Sequence, residues 1–188
     1  MERMMVFVSG AARSGKSEAA EICAIRLSRG GRLHYIATAQ AMDEEMTERI
    51  RRHQERRAAQ AAHWTVWEAP FSSQEIAASL HPDDVVLLDC LTTWLAHELF
   101  FGENWKTDAT AQAVACRMLD EVRAWADACR AVVIVSNELF AGGVPDDPGT
   151  FRYMKTLGLL HQQLVAEAAA AAVVECGLLR VKKGRWPG

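Results

Sequence analysis

The chain has 188 residues, 50% of them hydrophobic, and its 21 Lys and Arg against 24 Asp and Glu leave a net charge of -3. That length and apolar content can close one full core, so a single unit over residues 1–188 is expected. The mildly acidic balance supplies no concentrated positive field, which argues against nucleic acid as a partner. The opening Met1-Glu2-Arg3-Met4-Met5-Val6-Phe7-Val8 reaches a glycine loop too early for a signal peptide. No apolar run approaches the ~20 residues of a membrane span, so a cytoplasmic protein is expected. The five cysteines (Cys23, Cys90, Cys116, Cys129, Cys176) are scattered, odd in number and free of CxxC pairs, which speaks against a disulfide framework or a zinc site.

Along the chain, short apolar runs alternate with helical stretches. Strands are predicted at Met4 to Ser9, Leu33 to Ala37, Val85 to Asp89, Ala131 to Ser136 and Val173 to Val181. They are mostly apolar on both faces, as strands inside a covered parallel sheet are. Helices are predicted at Lys16 to Ser28, Ala41 to Ala62, Ser72 to Leu80, Thr92 to Phe101, Thr107 to Arg130 and Phe151 to Ala172, the alanine run Ala168 to Ala172 reading as helix. This rhythm predicts an α/β, phosphate-loop NTPase-like fold with a mostly parallel central sheet covered by helices.

The sharpest motif is Gly10-Ala11-Ala12-Arg13-Ser14-Gly15-Lys16-Ser17, a complete GxxxxGKS between a strand and a helix. Its glycines let backbone amides turn inward around phosphate oxygens, Lys16 brings a point charge to the outer phosphates, and Ser17 can hold a magnesium ion. A second phosphate-site element is Val85-Val86-Leu87-Leu88-Asp89, which puts Asp89 at the carboxyl edge of the sheet, where a magnesium-associated acid is useful. The competing reading of Asp89 is a cap for the helix that begins near Thr92.

A charged amphipathic stretch covers residues 42 to 57. At about 100° per residue, His53 shares a face with Met42 and Met46, with Arg49 and Arg57 one turn before and after it. Two cations beside an imidazole disfavour imidazolium and leave a neutral nitrogen able to attack phosphorus while the arginines hold phosphate oxygens. A structural histidine on a half-apolar face is the alternative.

With Tyr35-Ile36-Ala37-Thr38-Ala39, Asp43-Glu44-Glu45-Met46, Arg49-Ile50-x-x-His53-x-x-x-Arg57, Trp64, Glu68, Leu88-Asp89-Cys90-Leu91-Thr92 and Val135-Ser136-Asn137-Glu138 in this order, the chain resembles the bifunctional adenosylcobinamide kinase/adenosylcobinamide-phosphate guanylyltransferases of cobalamin biosynthesis. The resemblance implies phosphorylation of adenosylcobinamide from ATP or GTP. It also implies transfer of GMP from GTP to adenosylcobinamide phosphate through a guanylylated histidine at His53. It further implies nucleotide contacts from residues 10 to 17, from Ala37, Thr38 and Ala39, from Gln54, Glu55, Arg56 and Arg57, and from Glu68 and Asp89. Mg2+ at Ser17 and Asp89 and a homotrimer belong to the same implication.

The chain departs from that family in its C-terminal third. Leu139-Phe140-Ala141-Gly142-Gly143-Val144-Pro145 replaces a Val-Gly-x-Gly-Ile-Val-Pro-like loop, and Met154-Lys155, Gly158 and His161-Gln162 stand where Arg-Asp, Gly and Asn-Gln are usual. Two rival readings use the same phosphate loop: a small-molecule kinase without nucleotidyl transfer, and a nucleotide-dependent switch. The switch reading is weakened because Ser136-Asn137-Glu138-Leu139 stands where an Asn/Thr-Lys-x-Asp element is typical.

Overall fold

The computed structural model describes residues 4–39 and 62–187, together with Glu48, Arg51 and Glu55. The predicted helix Ala41 to Ala62 therefore lies almost wholly outside the described residues. The elements run β1 (Met5–Gly10), α1 (Lys16–Ser28), β2 (Leu33–Ala37), β3 (Trp64–Glu68), α2 (Gln74–Ser79), β4 (Val85–Asp89), α3 (Leu91–Phe100), α4 (Asp108–Ala128), β5 (Ala131–Asn137), α5 (Pro148–Glu167), β6 (Ala170–Glu175) and β7 (Leu178–Lys183).

The seven strands form one sheet in the order β3-β2-β4-β5-β1-β6-β7. All adjacent pairs are parallel except β6 and β7. This is the phosphate-loop NTPase-like α/β sheet expected from the strand and helix rhythm. β5 lies between β1 and β4, so the loop after β1 and the acid that ends β4 share one sheet edge.

Strand alternation sends neighbouring residues to opposite faces, and each face has its own core. Val6, Val8, Leu87 and Val133 pack with Ala20, Cys23 and Ala24 of α1. Met5, Phe7, Leu88 and Ile134 pack with Ile76, Leu91, Trp94, Met118 and Leu157 from α2 to α5. Trp94 and Trp125 stack with ring centroids 5.6 Å apart inside this second core. Each fully buried Leu, Met or Trp contributes roughly 2–3 kcal/mol, so the helix-rich face anchors everything above it.

Local signals explain several helix ends. Thr107 caps α4 by accepting from the Thr110 amide, and Asp147 caps α5 with Pro148 at its first turn. At the edge away from the phosphate loop, Asp84 binds Arg32 at 2.7 and 3.0 Å and His34 at 3.2 Å. Trp67 donates its indole N–H to the other nitrogen of His34, so one network ties β2, β3 and β4 together. Burial pulls the His34 pKa down against the opposing pull of Asp84, and the ring stays neutral.

Three expectations are corrected. The predicted strand Val173 to Val181 is two antiparallel strands, β6 and β7, joined at Cys176 and Gly177, both at positive φ. Two residues in that region make a tight hairpin whose twist matches its strands. The helix predicted for Phe151 to Ala172 runs from Pro148 to Glu167 with Ala168 as its C-cap, and the rest of the alanine run leaves the helix: the Ala169 amide donates to the Met5 carbonyl, and Ala170, Ala171 and Ala172 are strand paired with β1. Tertiary strand pairing overrides alanine's helix propensity here. Finally, β3 was not predicted; it is an edge strand with Thr65 and Val66 exposed.

Candidate nucleotide-binding site

The phosphate loop is shaped by backbone constraints that only its sequence satisfies. A Cβ at Gly10 would lie 2.4 Å from the Val174 carbonyl oxygen, so any side chain there would push β6 away. Gly15 and Arg13 adopt positive φ of 93° and 59°, which turns successive amides to one side. The Ser14 amide donates to the Ala11 carbonyl at 3.2 Å, and the Ser14 carbonyl accepts from the Gly177 amide at 3.0 Å, so the β6–β7 turn braces the loop. Gly15 makes no side-chain cap for α1, which leaves the helix N-terminus to an anion.

Lys16 is only 4% exposed, and its ammonium bends back to the Ala11 carbonyl at 3.0 Å. A cation held over a cup of amides is the arrangement that grips phosphate oxygens. Ser17 follows in the first turn of α1, beside the same cup.

The neighbouring strand ends complete the edge. Tyr35, buried in the middle of β2, reaches along the sheet and donates to the Asp89 carboxylate at 2.8 Å, and the Tyr35 ring stands edge-on to Trp64. The N-cap of α3 is Cys90, with no side-chain cap bond, so Asp89 is not the residue that caps this helix. Thr38 is fully buried. Its hydroxyl donates to the Cys90 carbonyl and accepts from the Cys90 amide, each at 2.8 Å. Thr38 thus fastens the end of β2 to the end of β4, and its one hydroxyl proton is spent in doing so. Ala37 pairs with both Glu68 and Asp89 in register, which brings all three to one edge.

His53, Gln54, Arg56 and Arg57 lie outside the described residues. Glu55 is helical and exposed, and its carboxylate is ion-paired with Arg51.

Other groups at this edge carried no assigned role in the sequence. The Asn137 side chain donates to the Thr92 hydroxyl at 2.8 Å, Tyr153 donates to the Thr92 carbonyl at 3.0 Å, and Asn137 stands level with Gly10 across the β1–β5 pair. His161 bonds Ser136 through its Nε2 at 2.7 Å, with Phe7 and Phe140 edge-on to its ring. Burial pushes the His161 pKa down to about 4, so its ring is neutral near neutral pH. The motif stretches around residues 90–92 and 135–138 were the available signal, but contacts across strands are invisible in a linear pattern.

Among the described residues no three His, Cys, Asp or Glu gather into a metal cage, and no helix is long and apolar enough to cross a membrane. Fold and site together define a phosphate-loop nucleotide-binding α/β protein, with the phosphate cup and a carboxylate on adjacent strand ends.

Comparison with known proteins narrows that class. The family model for cobinamide kinase / cobinamide phosphate guanyltransferase matches residues 6–181. The chain is 34% identical to the bifunctional adenosylcobalamin biosynthesis protein CobU of Escherichia coli (strain K12), over 93% of this chain and 97% of that one. It is 35% identical to the bifunctional adenosylcobalamin biosynthesis protein CobP of Pseudomonas aeruginosa, over 96% and 98%. The crystal structure of the flagellar accessory protein FlaH from Methanocaldococcus jannaschii is a distant likeness, with 12% identity, TM-score 0.49, and coverage of 99% of this chain and 80% of that one. The chain belongs to the cobinamide kinase / cobinamide phosphate guanyltransferase family.

Proposed function

We propose that the chain catalyses two successive transfers in cobalamin biosynthesis. In the first, ATP or GTP phosphorylates the aminopropanol hydroxyl of adenosylcobinamide. In the second, GMP passes from GTP to adenosylcobinamide phosphate, pyrophosphate leaves, and adenosylcobinamide-GDP forms. The observation that carries this reading is the buried Lys16 ammonium over the amide cup at the edge where Asp89 ends β4, in a chain that matches the family over residues 6–181.

In the kinase step Lys16 exchanges the Ala11 carbonyl for phosphate oxygens, and the amides of the loop hold the phosphates still while the hydroxyl attacks in line. Ser17 and Asp89 offer hard oxygen donors and no soft ones, a set that fits Mg2+ bound together with phosphates. When bound, that ion neutralises charge on the transferring phosphoryl group. Tyr35 orients the Asp89 carboxylate for this task through its 2.8 Å hydrogen bond.

In the guanylyl step a neutral nitrogen of His53 attacks the α-phosphorus of GTP. A P–N bond forms, the α–β anhydride bond breaks and pyrophosphate leaves. The acceptor phosphate then displaces histidine, with Arg57 holding phosphate oxygens. Two alternative histidines are disfavoured as the nucleophile: both nitrogens of His34 are bonded at the far edge, and His161 is bonded to Ser136. Ala37, Ala39, Glu68 and residues 54–57 are assigned to the nucleotide on the family pattern. The working unit is a cytoplasmic homotrimer on the same pattern, and the exposed Leu178 and Val181 of β7 offer apolar surface for subunit contact.

The test is product analysis. Supplied with adenosylcobinamide, the protein is expected to take label from γ-labelled ATP or GTP; supplied with adenosylcobinamide phosphate and α-labelled GTP, it is expected to yield labelled adenosylcobinamide-GDP. Phosphorylation without any GMP transfer would reduce it to a small-molecule kinase, and neither product would defeat the reading.

A further inference from the structure

An open apolar groove of about 430 Å³ lies between the loop after β5 and the outer face of α5. Phe140 and Val144 from the loop, with Phe151 and Leu159 from the helix, form its walls. They are 38%, 80%, 47% and 43% exposed, respectively. Apolar side chains left this open in one concave patch call for an occupant. Gly158 lies along the lining, where a Cβ would meet only the Phe140 ring at 3.6 Å. Gln162 brings an amide to the lining, and the charged lining residue Lys155 is already paired with Asp108 at 2.9 Å.

We propose that this groove seats the corrin macrocycle of the adenosylcobinamide acceptor, an inference that rests on the reading given under Proposed function. Continuity with the phosphate loop selects this occupant. The loop that walls the groove starts at Glu138, whose amide donates to the Gly10 carbonyl at 2.9 Å. The Glu138 carboxylate accepts from the Phe140 amide at 2.8 Å. The Phe140 ring rests edge-on against His161, and His161 bonds Ser136, which stands level with Ser9 of β1. The wall is therefore rooted where the phosphate loop begins.

Reaction geometry points to the same place. The loop wraps one side of the phosphates, so a hydroxyl attacking in line must come from the open side of the same sheet edge. A corrinoid is a broad macrocycle whose rim carries methyl groups and amide arms, and that rim suits an open groove with apolar walls and an amide in the lining.

Two substitutions test the groove. Gly158→Leu fills it from the helix side, and Val144→Asp puts a charge on its loop wall at a residue too exposed to unsettle the core. Equilibrium dialysis of adenosylcobinamide, read by corrin absorbance, should show binding weakened at least about 10-fold in both, with KM for adenosylcobinamide raised in step and kcat at saturation within about twofold. Covalent retention of GMP from α-labelled GTP, a step without acceptor, should be unchanged. Unaltered corrinoid binding in both variants overturns the proposal. Disassembly in sedimentation with unaltered corrinoid binding also overturns it and makes the groove a contact between copies. A wild-type protein that turns over nucleotide but neither binds nor phosphorylates adenosylcobinamide overturns the functional reading itself, and the groove with it.

Discussion

The two sides of the site are built from different materials. On the phosphate side, β1, its loop and α1 present backbone: amides, two residues forced to positive φ, and a glycine where a Cβ would meet Val174 at 2.4 Å. On the side of loop 139–145 and α5, the surface is made of side chains, several of them apolar and exposed. Backbone recognition of phosphate tolerates few residue types, since each amide must point one way. An apolar surface tolerates exchange among residues of similar size. This contrast sets a GxxxxGKS loop that few residue types could build beside a surface that many apolar side chains could form.

The largest effect is expected on the phosphate side. Lys16→Ala removes a charge that the loop already aims, so turnover of nucleotide in either reaction should fall by roughly 10²–10³ or more, with thermal unfolding little changed. Steady-state turnover of the purified variant checks this, and unchanged turnover would break the contrast outright. Asp89→Asn should cost less, about 10- to 100-fold in Mg2+-dependent activity, because the amide keeps the shape and the Tyr35 hydrogen bond but loses the charge. Nucleotide affinity measured without metal should stay near wild type.

The smallest effect sharpens the other side. His161→Asn, which keeps a polar partner for Ser136, should leave both transfers within about threefold but change how stability depends on pH. In the folded protein burial lowers the His161 pKa from 6.5 to about 4, so the folded state binds fewer protons than the unfolded state in that window. Its contribution is present above pH 6.5 and is lost as pH falls toward 4, by about 3 kcal/mol at most. Urea midpoints at pH 7 and pH 4.5 should differ less in His161→Asn than in the wild type. Some acid sensitivity will remain in both, because the His34 pKa is also lowered.

Much of the fold was legible because burial is written locally. β1, β2, β4 and β5 are mostly apolar, buried runs, with His34 the polar residue inside β2, and their predicted bounds agree within a residue. α1 was placed from Lys16 to Ser28, as found. Misreadings occurred where a distant partner decides the outcome. Ala170 to Ala172 are strand because Met5 to Val8 offers them a ladder, and alanine itself argues the other way. β3 lacks strict alternation because it is an edge strand with two adjacent residues exposed, although Trp64, Thr65, Val66 and Trp67 are all good strand formers. The start of α5 at Asp147-Pro148 was readable from its cap and its proline, and was placed three residues late. In the site, Lys16 and Asp89 were legible from motif and strand end. The hold of Thr38 on Cys90, of Asn137 on Thr92 and of His161 on Ser136 was not, since each joins residues far apart in sequence.

We propose that one chain carries both transfers and that, in the second, His53 holds GMP between GTP and the acceptor phosphate. The most direct measurement incubates wild type and His53→Ala with α-labelled GTP, without acceptor, and follows label retained on denatured protein. The wild-type adduct is expected to be labile in acid and stable in alkali, as a phosphoramidate is. No adduct is expected in His53→Ala, while phosphorylation of adenosylcobinamide survives at least in part because the hydroxyl attacks the γ-phosphoryl group directly. An adduct that persists in His53→Ala, or a wild-type protein that makes adenosylcobinamide-GDP without ever holding label, would contradict the proposal.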